Sequence, residues 1–307
     1  MYDQISASNG RDIKLYSWLP RQEIRLALVI SHGMSEHIKR YMEFALACNQ
    51  AGIVVYGANH RGHGEDADVL GHYADENGWQ LVQDDLDCII EHVKQKHSVP
   101  LILLGHSMGS FIAQNYAMQH GDKLAGLILS GSNYQAPWLY HIAKLLAGIE
   151  KKRIGASTPS LFLSWLSFGS FNRKFSPNRT RFDWLSRDEK SVDSYIKDKF
   201  CGFLCSPQLW SDLLSGLITI SQPKALLSIP NNLPIYIFSG DKDPVGLQGL
   251  GVSALAKQFS AQGCEKVTTV LYPDARHETL NEINSSAVYA ELLTWLESNV
   301  LLKNNAA

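Results

Sequence analysis

The chain has 307 residues, 45% of them hydrophobic and 19% charged, which suits a globular protein with a substantial core. A formal net charge of −2 gives no general pull toward nucleic acid, and no segment reaches the roughly 18 uninterrupted apolar residues of a membrane span. The five cysteines (Cys48, Cys88, Cys201, Cys205 and Cys264) form no disulfide framework. Cys201 and Cys205 are spaced to share a helix face, but no Cys or His cluster in the sequence completes a metal site around them, so neither metal nor cofactor is expected. The opening MYDQISASNGRD has no apolar run of the signal-peptide kind, and the expected setting is a reducing, cytoplasmic one.

Asn9-Gly10 is a hairpin turn signal between expected strands over Tyr2 to Ser8 and Arg11 to Leu19. Leu26 to Ser31 reads as a buried strand ending in His32-Gly33-Met34, and a helix follows through Tyr41, Phe44, Ala45 and Cys48. Ile53 to Ala58 is a further apolar strand. It runs into the glycine-punctuated loop Asn59-His60-Arg61-Gly62-His63-Gly64. Val82, Leu86, Ile89, Ile90 and Val93 recur at helical spacing. Val99 to Leu104 then forms a strand buried on both faces, followed at once by Gly105-His106-Ser107-Met108-Gly109 and a helix through Phe111, Ile112, Asn115 and Tyr116.

Strand, G-x-S-x-G and helix together are the nucleophile elbow. The turn is so sharp that side chains two residues before or after the serine would collide with neighbouring elements, which leaves glycine there. Ser107 is therefore the expected nucleophile. Leu124 to Ser130 is the next strand, and the strand pattern then stops. From Ser132 to Ile229 only helical stripes and polar turns are found. Strand–helix alternation resumes with Leu233 to Ser239, Leu247 to Gln262, Val267 to Tyr272 and Ser285 to Leu302. This alternation predicts a mostly parallel sheet covered on both faces. With its opening hairpin and late helical insertion it describes an α/β-hydrolase fold, the core spanning 1–131 and 230–303 and a helical cap spanning 132–229.

A serine hydroxyl needs a base, and in this fold the partners follow in the order serine, acid, histidine. Of eleven histidines only His277 lies beyond the strand that must deliver the acid. The loop Gly240-Asp241-Lys242-Asp243 offers two carboxylates, and Asp243, stiffened by Pro244, is favoured over Asp241 as the partner of the imidazole. The backbone N–H groups of Met108 and Met34 are the expected oxyanion donors. His106 reads as a structural neighbour of the elbow, and Glu36 with Arg40 as a salt bridge shaping their loop.

His32-Gly33-x-x-Glu36-His37-x-x-Arg40-Tyr41, Arg61-Gly62-His63-Gly64, the elbow, Gly240-x-x-Asp243 and Ala275-x-His277-x-x-x-Asn281-Glu282 together resemble the monoacylglycerol lipase and lysophospholipase branch of the α/β-hydrolases. The resemblance covers about two thirds of the chain and is weak in the cap. It implies Ser107, Asp243 and His277 as the triad and residue 34 as an oxyanion donor. The cap carries four of the seven tryptophans and 13 Lys and Arg against 7 Asp and Glu. Its stripe Trp138, Leu139, Ile142, Leu145, Leu146 and Ile149, followed by Lys151-Lys152-Arg153, suits peripheral contact with a membrane surface. The expected activity is hydrolysis of a single-chain lipid ester through an acyl-enzyme, with no nucleic-acid partner. The alternatives are a proline iminopeptidase-like aminopeptidase on the same triad and a non-catalytic ligand-binding version of the fold.

Overall fold

The structure is a computed structural model that describes residues 2–222 and 228–302. Residues 223–227 of the expected cap and residues 1 and 303 of the expected core lie outside the described part. Eight strands form one sheet: β1 (Tyr2–Ser6), β2 (Asp12–Trp18), β3 (Leu26–Ser31), β4 (Ile53–Ala58), β5 (Leu101–His106), β6 (Gly126–Ser130), β7 (Ile235–Gly240) and β8 (Val267–Tyr272). Their spatial order is β1-β2-β4-β3-β5-β6-β7-β8. β1 and β2 are the predicted hairpin, turning at Gly10 with φ +81°. β2 meets β4 antiparallel, and every pairing from β4 to β8 is parallel.

Because successive strand residues point to opposite faces, each central strand feeds two cores. Val29, Leu101, Leu103, Leu127 and Ile237 pack on one face with α2 (Gly78–Lys96), α3 (Met108–His120) and α8 (Leu250–Ala261). Leu28, Ile30, Ile102, Leu104 and Phe238 pack on the other with α1 (Met42–Gln50) and α9 (Ser285–Leu296). Full burial of each such side chain stabilises the fold by about 1.5–3 kcal/mol. That double burial is why β3 to β7 read as continuous apolar runs.

The boundaries differ from the sequence reading at identifiable places. β7 starts at Ile235 because Leu233 is held in a turn by Pro230 and Pro234 has no N–H to pair. α8 starts at Leu250 because Leu247 and Gln248 take positive φ in a preceding turn. Between β6 and β7 the described residues contain α4 (Pro137–Ile154), α5 (Leu161–Phe168), α6 (Glu189–Lys197) and α7 (Pro207–Ile220) and no strand. Cys201 and Cys205 lie in the loop between α6 and α7, not on a helix face. No helix among the described residues is long and apolar enough to cross a membrane.

Candidate active site

Parallel strands present all their carboxyl ends at one sheet edge, and a ligand crevice opens where strand order reverses. Here the reversal falls between β3 and β5. The β3 end carries Gly33 and Met34, the β5 end carries Ser107, and the loops after β7 and β8 bring Asp243 and His277 to the same edge. Ser107 has φ +51° and ψ −120°, a strained conformation held by the elements on either side. A Cβ on Gly105 would stand 2.3 Å from Gly109 O, and one on Gly109 would stand 2.0 Å from Ser31 O. Both positions admit only glycine, so the elbow forms because its two flanking residues have no side chain.

Asp243 is fully buried and its Oδ1 meets His277 Nδ1 at 3.0 Å. Its carboxylate is fixed by the Val245 N–H, which donates to Oδ1 at 2.8 Å, and the Ser239 hydroxyl, which donates to Oδ2 at 2.7 Å. Burial pushes the Asp243 pKa up, but the His277 ring and these donors outweigh it and hold the carboxyl below its usual range. For His277 burial works against the charged ring, and Asp243 overcomes it, so the imidazole pKa is raised. Asp241 instead bonds the Lys242 ammonium at 3.1 Å. Of the two candidate acids, the structure brings Asp243 and not Asp241 to the imidazole.

Ser107 and His277 line one cavity of about 430 Å³, together with Met34 and Met108. Ser107 Oγ makes no hydrogen bond to a described residue, the His277 ring included. Such contacts are commonly loose in a ligand-free site and tighten with substrate. The Met108 N–H heads α3, where it has no intrahelical acceptor. Among the described residues the Met34 N–H has no acceptor either, whereas the neighbouring Gly33 N–H donates to Glu36 Oε1 at 2.6 Å. Glu36 also accepts from the Tyr41 hydroxyl and from Arg40, which grips Glu278 through two bonds of 2.7 and 2.6 Å. The expected Glu36–Arg40 bridge thus extends to the residue after His277 and ties the β3 and β8 loops together. His106 bonds Ser130 Oγ at 3.1 Å, and its ring lies tilted against His277 with the centroids 4.8 Å apart. Burial, then the neighbouring His277, hold its pKa at about 4, so it is a neutral packing partner at neutral pH.

Sequence reasoning missed the grip of residues 183–187 on the histidine loop. The His277 and Glu278 N–H groups donate to Trp184 O and Leu185 O, at 3.4 and 2.7 Å. Arg276 donates to Asp183 O and Ser186 O, and Arg187 pairs with buried Glu282 at 3.0 Å. The Trp184 ring lies 5.2 Å from the His277 ring. The only available signal was the tryptophan itself, since carbonyl acceptors leave no mark in a sequence.

The family model described as serine aminopeptidase, S33 matches residues 22–284. The chain belongs to this α/β-hydrolase family. Monoacylglycerol lipase from Mycolicibacterium smegmatis is 27% identical over 92% of this chain and 92% of its own length. Monoglyceride lipase from Rattus norvegicus is 25% identical, over 95% and 89% respectively. Among solved structures, a highly thermostable carboxyl esterase from Bacillus coagulans in complex with glycerol superposes with a TM-score of 0.88, at 27% identity and 98% coverage of both chains. The sheet order is therefore that of the α/β-hydrolase fold, and the similarity runs to its monoacylglycerol lipase branch, as the motifs imply.

Proposed function

We propose that the chain hydrolyses esters of single-chain lipids, monoacylglycerols or lysophospholipids, through an acyl-enzyme on Ser107. In this reading His277 takes the serine proton and returns it to the leaving alcohol, while Asp243 fixes the ring and stabilises the imidazolium. The Met34 and Met108 N–H groups bind the oxyanion, each worth about 3–4 kcal/mol in the transition state. Residues 132–229 act as a cap. The observation that carries the proposal is the cavity: α4, α5 and α7 supply Tyr140, Trp165, Phe168, Trp210, Leu213 and Leu217 to a mostly apolar passage reaching Ser107. Burying an alkyl chain there is worth about 0.8 kcal/mol per methylene.

The aminopeptidase reading needs an unpaired carboxylate for the substrate ammonium. The carboxylates lining the cavity are Glu36 and Glu278, and Arg40 holds both. Contact of the cap with a lipid surface is supported by the exposure of Trp138, Ile142, Leu145, Ile149, Leu161 and Trp165 on α4 and α5. Five unpaired cysteines support a reducing, cytoplasmic setting. The test is a fluorophosphonate probe with a substrate screen. Labelling of Ser107 with turnover of monoacyl esters is expected. No labelling would leave a ligand-binding fold, and a preference for aminoacyl amides would replace the lipase reading.

A further inference from the structure

Outside the cavity, where the loop after β3 meets the helical segment, three metal-ligating side chains converge. His37 Nε2 and Asp198 Oδ2 are 2.8 Å apart, and a ring nitrogen of His37, a carboxylate oxygen of Asp198 and Cys201 Sγ all lie within 4.8 Å of one another. The sequence reading found no such cluster because His37 stands 161 residues from Asp198. The geometry is fixed from outside as well. The Phe200 N–H donates to the other carboxylate oxygen of Asp198 at 2.8 Å, and the Cys201 N–H donates to Asp198 O at 3.0 Å. Asp198 and Cys201 thus form one tight turn with both ligand atoms toward His37. Outer hydrogen bonds of this kind orient metal ligands.

We propose that His37, Asp198 and Cys201 form a zinc site. A tetrahedral zinc with bonds of about 2.0–2.3 Å spaces its ligand atoms about 3.3–3.8 Å apart, so small side-chain adjustments close this cluster around an ion. One imidazole, one carboxylate and one thiolate are a borderline-soft set that suits zinc over magnesium or calcium. A surface pocket of about 360 Å³ lined by His37 and Asp198, though not by Cys201, adjoins the cluster. Lys39, Lys197 and Lys199 also line that pocket and oppose a cation, although Glu65 engages Lys39 at 2.9 Å. Arg40 stands near Cys201 but is neutralised by Glu36 and Glu278. Zinc would bind Cys201 as the thiolate, displacing its proton.

The position gives the ion a structural task. His37 lies three residues beyond Met34. The same junction is already held by the Gly202 N–H and the Tyr195 hydroxyl, both donating to Ser35 O at 2.9 Å, and by the Ser35 hydroxyl donating to Phe203 O at 2.9 Å. Zinc would add a clamp between the β3 loop and the α6–α7 segment.

The test titrates the full chain, without an affinity tag, with cobalt(II) as the spectroscopic probe and zinc as the competitor. Expected are one equivalent of tetrahedral cobalt, a thiolate-to-cobalt charge-transfer band, and loss of both on adding zinc. Cys201→Ser should lose the band, and His37→Ala should weaken cobalt at least about tenfold while keeping the wild-type circular dichroism. Cys88→Ser should change neither. Absence of saturable binding to the wild-type chain would overturn the proposal. So would a charge-transfer band that survives Cys201→Ser, or an affinity unchanged in His37→Ala.

Discussion

The sheet edge that carries Ser107, Asp243 and His277 and the helical segment between β6 and β7 line the same cavity, but different constraints shape them. At the sheet edge each candidate residue sits one turn beyond a strand, and its backbone is fixed by contacts that few residues satisfy. Gly105 and Gly109 have backbone where a Cβ would stand, and Asp243 has every carboxylate oxygen accepting a hydrogen bond. In the helical segment many side chains of similar size would serve. α5 buries Leu163 and leaves Leu161, Phe162, Trp165 and Leu166 exposed. The proposed chemistry therefore rests on the rigid region, and the proposed choice of substrate on the tolerant one.

Substitutions at the sheet edge should have the largest effects. Ser107→Ala should lower kcat on a soluble ester by about 10⁶ with the fold intact, measured by turnover and circular dichroism. A loss below about 10² would show that the edge is not the chemical region at all. Next comes the choice of acid. Asp243→Asn should cost about 10⁴ in kcat by spoiling the imidazole tautomer. Asp241→Asn, whose side chain bonds Lys242, should cost less than about threefold. Equal losses would erase the distinction drawn between the two carboxylates.

The pH dependence sharpens the same point. A general base must be neutral, and Asp243 raises the His277 pKa. kcat/KM should therefore rise with pH through an apparent pKa above the ordinary imidazole value. In Asp243→Asn burial remains and the raising charge is gone, so the residual activity should titrate at lower pH. A limb that does not move between the two proteins would separate His277 from Asp243.

Much of the sheet edge was legible because chain order and strand-end position are one-dimensional properties. Ser107 followed from its flanking glycines, and His277 from being the histidine that remains after the acid. Glu278 was not legible as a partner of Arg40, since 238 residues separate them. Nor was the grip of Asp183 to Arg187, which uses main-chain atoms. The helical segment was legible as helices and in its apolar α4 stripe, but not in the partners of its basic run. The stripe on α4 is exposed at Trp138, Leu139, Ile142, Leu145 and Ile149, while the basic run behind it is partly used internally. Lys151 bonds Gln208 and the exposed Arg153 pairs with Glu150, which leaves Lys152, beside Lys144, as the cation of the run without an ion-pair partner among the described residues.

Changes in the helical segment should accordingly be smaller and should separate by assay. Replacing Lys144 and Lys152 with Ala should weaken binding to anionic vesicles by about 1 kcal/mol per charge at low salt, and less at high salt. Turnover of a small soluble ester should not change. Unchanged vesicle binding would make the α4 stripe an ordinary packing surface.

Whether the helical segment admits one acyl chain decides the proposed division of labour between the two regions. The most direct measurement is the rate of ester hydrolysis for monoacyl and diacyl lipids of equal chain length in matched micelles. The account predicts ready cleavage of monoacylglycerols or lysophospholipids and much slower cleavage of their diacyl counterparts. It also predicts rates on soluble esters that climb from short to medium chains. Diacyl lipids cleaved as fast as monoacyl ones would contradict it.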